Sequence, residues 1–179
     1  MTDFARAFIS RSRSLLTSEY LPKIERCLEK LSDEQVWWRA NPESNSIGNL
    51  LLHLSGNARQ WIVSGLGGAP DARNRPQEFS ERGKISQAEL LSTLQRTVRE
   101  VDGVLAQFDP TRILERRRIQ GSDVTALEAI LHVVEHFSMH TGQIILLTKL
   151  LSGTDLGFYD FSGSAPAHTW GESSRGGKL

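Results

Sequence analysis

Residues 125–152 read TALEAILHVVEHFSMHTGQIILLTKLLS, and this stretch predicts a long helix. Its apolar residues recur at intervals of three and four, which is the period of an amphipathic helix. Thr125 and Glu128 form a capping box at its start. Gly153 follows its last residue, and glycine commonly ends a helix. The stretch therefore predicts one long helix with two defined ends.

Three further segments predict amphipathic helices from the same periodicity. Pro22 lies within the first of them and is expected to kink it or to divide it in two, because proline lacks an amide hydrogen. The second and third segments begin with serines that can cap a helix. The predicted spans are residues 3–31, 46–66 and 86–108, with Ser46 and Ser86 as the caps and Glu89 completing a capping box.

The segments between these helices predict connections. Residues 32–40 predict a short helical turn capped by Ser32. Residues 65–83 are rich in Gly, Pro and Arg and predict a long loop, and residues 109–122 predict a second connection with a short extended stretch. Residues 153–179 contain six glycines and predict a coil that packs locally around Phe158, Tyr159 and Phe161 and then frays.

These elements predict an all-α fold. Four amphipathic helices without a clear strand run or a repeat are typical of a four-helix bundle with a long crossover connection. We expect residues 1–152 to form this bundle and residues 153–179 to form a coil extension packed on it.

Composition limits the possible partners. The chain has 179 residues, of which 39% are hydrophobic, and its 21 basic and 21 acidic residues cancel. A neutral chain has no overall field that would attract nucleic acid or an anionic membrane. A single cysteine, Cys27, excludes an internal disulfide and is expected to be a small buried hydrophobe. With no signal-peptide pattern and no apolar run of membrane-spanning length, we expect a cytoplasmic protein.

The histidines in the last helix suggest metal binding. His132, His136 and His140 stand at successive spacings of four, so His136 and His140 share one helix face with Cβ atoms about 5–6 Å apart. Two imidazoles at that separation can reach one ion at about 2.0–2.1 Å. A third nitrogen could come from His53, in the apolar stripe of the second helix. Each of these histidines could equally be a hydrogen-bonded core residue, so the spacing leaves both roles open.

The sequence resembles the DinB-like superfamily (DinB/YfiT-like) over roughly residues 3–152, and within it a bacterial branch without an assigned activity. The matching residues are Ser46-Ile47-Gly48, His53-Leu54, Trp61 and the run Glu135-His136-Phe-Ser-Met-His140-Thr-Gly-Gln-Ile144. The resemblance implies a four-helix bundle with a long crossover, and metal ligands at His53, His136 and His140. Met139 and Thr141, which flank His140, depart from the aromatic and basic residues common in the family at this point.

The resemblance also implies possible functions. Three neutral nitrogens suit Zn²⁺, Ni²⁺ or Fe²⁺, and three protein ligands leave a position open for water or a small-molecule substrate. Some relatives are metal-dependent transferases or isomerases that use a low-molecular-weight thiol, so thiol-dependent S-transfer is the leading hypothesis. A metal-dependent hydrolase, a non-enzymatic metal- or ligand-binding module in stress responses, and a bundle with purely structural histidines are the alternatives.

His132-Val-Val-Glu135-His136 also matches H-x-x-E-H, the inverted zinc-peptidase motif, with Glu135 as general base. This interpretation leaves His53 and His140 without a role. Peptidases of this type are also far larger, so we consider it the weaker alternative.

Other polar residues are candidates for roles around the metal. Gln143 could hydrogen-bond an imidazole or a bound water, and Asn57 and His132 could act in the same way. His168 is expected at the surface. An apolar bundle face left over would allow a homodimer. The arginines of the two connections are expected either at a charge-balanced surface or facing the pocket to bind carboxylates; they are Arg73, Arg75, Arg82, Arg112, Arg116, Arg117 and Arg118.

Overall fold

A computed structural model describes residues 2–170 and shows a four-helix bundle. The predicted all-α fold is confirmed. The helices are α1 (Thr2–Ser14), α2 (Leu21–Leu28), α3 (Asp33–Val36), α4 (Ile47–Ala58), α5 (Arg75–Ser80), α6 (Gln87–Gln107) and α7 (Ala126–Ser152). The short strands are β1 (Arg116–Ile119), β2 (Ser122–Thr125), β3 (Tyr159–Asp160) and β4 (Ala167–His168).

Reciprocal capping boxes start four of the helices. In each, the N-cap hydroxyl accepts a hydrogen bond from the N3 backbone amide, and the N3 side chain accepts one from the N-cap amide. These contacts satisfy amides that the first helical turn cannot pair internally. The pairs are Ser32 with Gln35, Ser46 with Asn49, Ser86 with Glu89, and Thr125 with Glu128.

Two of the long helices contain a π-helical stretch. Residues Leu15–Tyr20 join α1 to α2 without a break, and Arg59–Ser64 extend α4. In the first stretch the Leu21 amide donates to the carbonyl oxygen of Leu16, five residues back. Pro22 lies two residues after the end of this stretch, in the first turn of α2. The wider winding accommodates the proline, so the first helix continues past it to Leu28.

The bundle places α4 beside α7. α4 packs against both α6 and α7, and the α1–α2 helix packs against the same two. The first and second long helices are therefore diagonal to each other, with one continuous core between all four. Residues in this core include Ile24, Leu51, Leu94 and Phe137. Cys27 is also fully buried, as predicted, and burial raises the pKa of its thiol to about 11. No helix of residues 2–170 combines the length and apolarity needed to cross a membrane.

Two predicted loops contain additional structure. The loop predicted at residues 65–83 includes helix α5, so that prediction was wrong for Arg75–Ser80. Pro76 fits there because the first helical turn requires no amide donor. The connection at 109–122 ends in an antiparallel hairpin of β1 and β2, in place of a single extended stretch. Gln120 and Gly121 form its two-residue turn with φ values of 52° and 82°, as tight hairpin turns require.

Residues 153–170 lie against α2. The Arg26 guanidinium donates to the carbonyl oxygens of Gly157 and Thr169, and the Lys23 ammonium lies 3.8 Å from the centre of the Trp170 ring. The predicted coil also contains the short pair β3 and β4. The predicted fraying of the chain end concerns residues 171–179, which lie outside the described part.

Gly153→Ala is expected to destabilise the protein by about 1 kcal/mol, because Gly153 ends α7 at φ 63°, where a Cβ is strained. Gly103→Ala is the matched control. Gly103 lies inside α6, and a Cβ added there would meet nothing within 4 Å, so alanine should stabilise by roughly 0.5–1 kcal/mol. Urea unfolding measures both, and the same sign for the two variants would contradict the expectation.

Candidate metal centre

Three imidazoles converge between α4 and α7. His53 comes from α4 and is 6% exposed, and His140 from α7 is 7% exposed. His136 lies one turn before His140 and is partly exposed. One nitrogen from each ring lies within 4.8 Å of the others, and the Nε2 atoms of His53 and His136 are 2.8 Å apart. The three predicted ligands are therefore brought together, and a divalent ion could be held between them.

Contacts on the outer nitrogens orient two of the rings. The Nδ1–H of His53 donates to Oε2 of Glu78 over 2.8 Å, because an ionised carboxylate can only accept. The Nδ1–H of His140 donates to Oε1 of Gln143 over 2.6 Å. Both contacts leave the Nε2 lone pair available on the inner side of the ring. The contact with Gln143 is one that the sequence predicted.

The inner nitrogen of His140 provides the test of fit. Its Nε2 atom is buried and has no hydrogen-bond partner among residues 2–170. A buried nitrogen with a free lone pair is costly unless something binds it. An ion bound to the three Nε2 atoms would satisfy this nitrogen, so the residues present fit a transition-metal ion.

Glu78 and Arg73 form a buried ion pair behind His53. Arg73 Nε and Nη2 donate to the two Glu78 oxygens over 2.7 and 2.9 Å, and the Arg73 side chain is only 4% exposed. Burial by itself would raise the pKa of Glu78, but the hydrogen bonds from Arg73 and His53 outweigh it and hold that pKa below its usual value. The carboxylate therefore stays ionised and continues to accept from His53.

Close packing holds α5 over the site. The Phe79 ring lies 4.7 Å from the His53 ring, centre to centre. Gly56, one turn from His53, faces the ion pair, and a Cβ at this position would overlap the Glu78 carboxylate and lie 3.1 Å from Arg73 Nε. Glycine at position 56 thus allows the ion pair to approach the backbone of α4. A cavity of about 560 Å³ lies on the far side of Arg73 and Glu78, lined by residues of α4, α5 and α6.

His132 lies beside the three converging imidazoles and outside the cluster. Its Nε2 is 3.0 Å from Nδ2 of Asn57, and its ring stacks on Trp61 at 3.9 Å between centres. Asn57 therefore contacts His132, the neighbour of the cluster. Glu135 is exposed on α7, and His168 is exposed in β4.

The arginines divide between the two predicted environments. Arg73 faces the site, where its carboxylate partner is Glu78 of the same chain. Arg75 lies 5.2 Å from the Phe79 ring centre, and Arg82 donates to the Phe79 carbonyl oxygen. The cluster in the second connection forms surface pairs: Arg112 and Arg117 with Glu115, and Arg116 with Asp123.

The sequence did not identify Glu78 as a functional residue. It lies in a segment that predicted a loop, and its partner His53 is 25 residues away. One available signal was Pro76 followed by Glu78, because proline and acidic residues are common in the first turn of a helix.

Burial lowers the pKa of three histidines in α7. For His136 burial has the largest effect, the neighbouring imidazoles add to it, and the pKa falls to about 3. Burial also lowers the pKa of His132 and His140. These rings are therefore neutral at pH 7, which is the form that binds a metal ion.

Metal-free protein is expected to lose stability as the pH falls from 7 to 5. Unfolded histidines titrate near 6.5, whereas folded His136 titrates near 3. Between these values the unfolded state binds more protons, so the free energy of unfolding decreases with decreasing pH.

Urea midpoints measured with EDTA at the two pH values test this expectation. His136→Gln should show a smaller decrease than the unmodified chain, and His168→Gln should match the unmodified chain. Equal decreases in all three proteins would contradict the assignment to His136.

Comparisons with known proteins place the chain in a family. The family described as "Protein of unknown function (DUF1572)" matches residues 3–160. No curated protein matches the sequence.

Three solved structures are similar in fold. A DinB-like protein from Bacillus cereus has a TM-score of 0.64 at 15% identity, with 84% of this chain and 94% of that chain covered. The DinB-like protein YjoA from Bacillus subtilis has a TM-score of 0.61 at 16% identity, with 81% and 94% covered. A conserved protein from Enterococcus faecalis has a TM-score of 0.61 at 15% identity, with 86% and 98% covered. At such low identity these likenesses concern the fold.

Proposed function

Since the chain belongs to the DUF1572 family and has the fold of DinB-like proteins, as the sequence resemblance predicted, we propose that it binds one divalent transition-metal ion. Its ligands are His53, His136 and His140, and the protein acts on a small molecule. The family description names no activity, so the proposal rests on the site.

The observation that carries the proposal is the buried, unpartnered Nε2 of His140 beside two further imidazole nitrogens. A structural histidine would be expected to pair both ring nitrogens when buried. Here the outer nitrogens of His53 and His140 are held by Glu78 and Gln143, while the inner side is left for a ligand. This is the arrangement that metal-binding histidines commonly adopt.

The donor set favours zinc, nickel or iron over magnesium or calcium, because neutral nitrogens suit the former. Such an ion, when bound, supplies a Lewis acid with a coordination position open to a small molecule. Glu78 fixes the tautomer of His53, and Phe79 covers that ring from one side. His136 is the most exposed of the three, so we place the approach of a small molecule at its edge.

We propose thiol-dependent S-transfer as the reaction class, on the basis of the family resemblance. Hydrolysis and non-enzymatic metal binding are the outcomes against which it is tested. The arginine cluster at 112–118 does not contribute to the support, since Arg112, Arg116 and Arg117 pair with Glu115 and Asp123.

The experiment has two stages. Elemental analysis of the purified protein should find close to one equivalent of a transition metal per chain, and a metal-free protein that also fails to take up Zn²⁺ would overturn the proposal. The ion is then replaced by Co²⁺, and cysteine is added as the probe. A new thiolate-to-cobalt absorption band with cysteine and none with serine, the matched hydroxyl control, supports thiol use. An unchanged spectrum with both excludes thiol-dependent transfer and leaves metal binding established.

A further inference from the structure

The outer face of α7 carries large apolar residues that the bundle does not cover. The exposed fractions of Leu131, Met139, Leu146 and Leu150 range from 40% to 67%. Their spacings of eight, seven and four place them on one stripe of the helix, opposite core residues such as Phe137. Large apolar residues exposed along one face of a helix can mark an interaction surface.

We propose that this stripe, together with Glu135, Gly142 and Lys149, binds the same stripe of a second copy of the chain, with the two α7 helices antiparallel. The ends and the centre of the stripe are symmetric about its midpoint, between His140 and Thr141, and Leu146 falls opposite the partner's Glu135. Leu131 and Leu150 stand equally far from this point, and so do Met139 and Gly142. A two-fold axis there would place Leu131 at the same height as the partner's Leu150 at both ends of the seam.

Gly142 gives the centre of the stripe its shape. It is exposed within α7, and a Cβ at this position would meet nothing within 4 Å. Across the two-fold axis, the missing side chain leaves space for the partner's Met139. A bulky side chain and a glycine at symmetric positions allow two helices to approach closely.

The charges on the stripe favour a second copy over another apolar partner. Glu135 and Lys149 are exposed, and neither forms an ion pair with any residue of the described part of the chain. They are 14 positions apart, or about 21 Å along the helix, so they cannot pair within one copy. In the antiparallel arrangement the partner's Lys149 lies within one helical turn of Glu135. Two such pairs of opposite charge form per dimer.

The oligomeric state tests this proposal directly. Sedimentation or light scattering at micromolar concentration should give twice the 20.0 kDa mass of one chain. Leu146→Glu should raise the dissociation constant more than about 100-fold, because it places a carboxylate opposite the partner's Glu135 at two symmetric points of the seam. Leu114→Glu is the matched control, since Leu114 is 54% exposed outside α7, and it should leave the dimer intact. A monomer at 100 µM, or a dimer insensitive to Leu146→Glu, would overturn the proposal.

A charge exchange distinguishes antiparallel pairing from any other dimer. Glu135→Lys and Lys149→Glu should each weaken association roughly tenfold, because each change breaks two equivalent pairs. The double variant restores both pairs across the axis and should recover the affinity of the original chain. This recovery cannot arise within one copy, given the separation of the two residues. A double variant as weak as the two changes combined would exclude the proposed register.

Discussion

Alanine at His53, His136 or His140 is expected to lower the affinity for Zn²⁺ by more than about 100-fold in each variant. Loss of a residue that merely supports a ligand typically costs 10–100-fold, and loss of a ligand itself should cost more. All three rings contribute a nitrogen within 4.8 Å of the others, so none can be replaced by a neighbour without moving a helix. Competition with a chromophoric zinc chelator measures the affinities.

His132→Ala is the control for these variants. His132 lies on the same helix, but its Nε2 is 3.0 Å from Asn57 Nδ2 and its ring stacks on Trp61. Zinc affinity should therefore change less than tenfold. Loss of zinc in His132→Ala with retention in His140→Ala would instead favour the inverted peptidase motif with Glu135 as base.

Glu78→Ala is expected to destabilise the protein by about 3–5 kcal/mol, because it leaves the Arg73 guanidinium without its carboxylate in a buried position. A typical domain has only about 5–15 kcal/mol of stability, so this is a large fraction of the total. Urea unfolding of metal-free protein measures the change. Zinc affinity should also fall 10–100-fold, since His53 loses the acceptor that orients it.

Two controls separate charge burial from simple truncation. Glu115→Ala removes a carboxylate that pairs with two arginines at the surface. Because exposed ion pairs contribute little to stability, this variant should leave the urea midpoint unchanged. The double variant Arg73→Ala with Glu78→Ala leaves no unpaired buried charge and should recover part of the loss. If Glu78→Ala unfolds at the same urea concentration as the unmodified chain, the ion pair makes no net contribution.

The sequence predicted the bundle well because its signals are local. Capping boxes such as Thr125 with Glu128, and apolar residues at helical spacing, act within one or two turns of a helix. The stacking of His136 and His140 follows from the same spacing. Their distance to His53 does not, because it depends on how α4 and α7 are positioned against each other in the bundle.

The remainder of the site depends on contacts distant in sequence. α5 has only six residues, and its apolar residues do not recur at helical spacing. Phe79 and Glu78 hold this helix in place through contacts with His53 and Arg73. The hairpin was missed for a related reason. β1 reads Arg-Arg-Arg-Ile and lacks the alternation of apolar and polar residues that predicts a strand. It forms a strand because it pairs with β2.

The close approach of the ion pair to α4 has a consequence for the evolution of this family. A side chain at position 56 would displace Glu78, and without Glu78 both Arg73 and His53 lose a partner. Positions 56, 73 and 78 should therefore covary among homologues, with glycine retained wherever the acidic and basic pair is present. Lineages that have lost the pair would be free to fill position 56 with a larger residue.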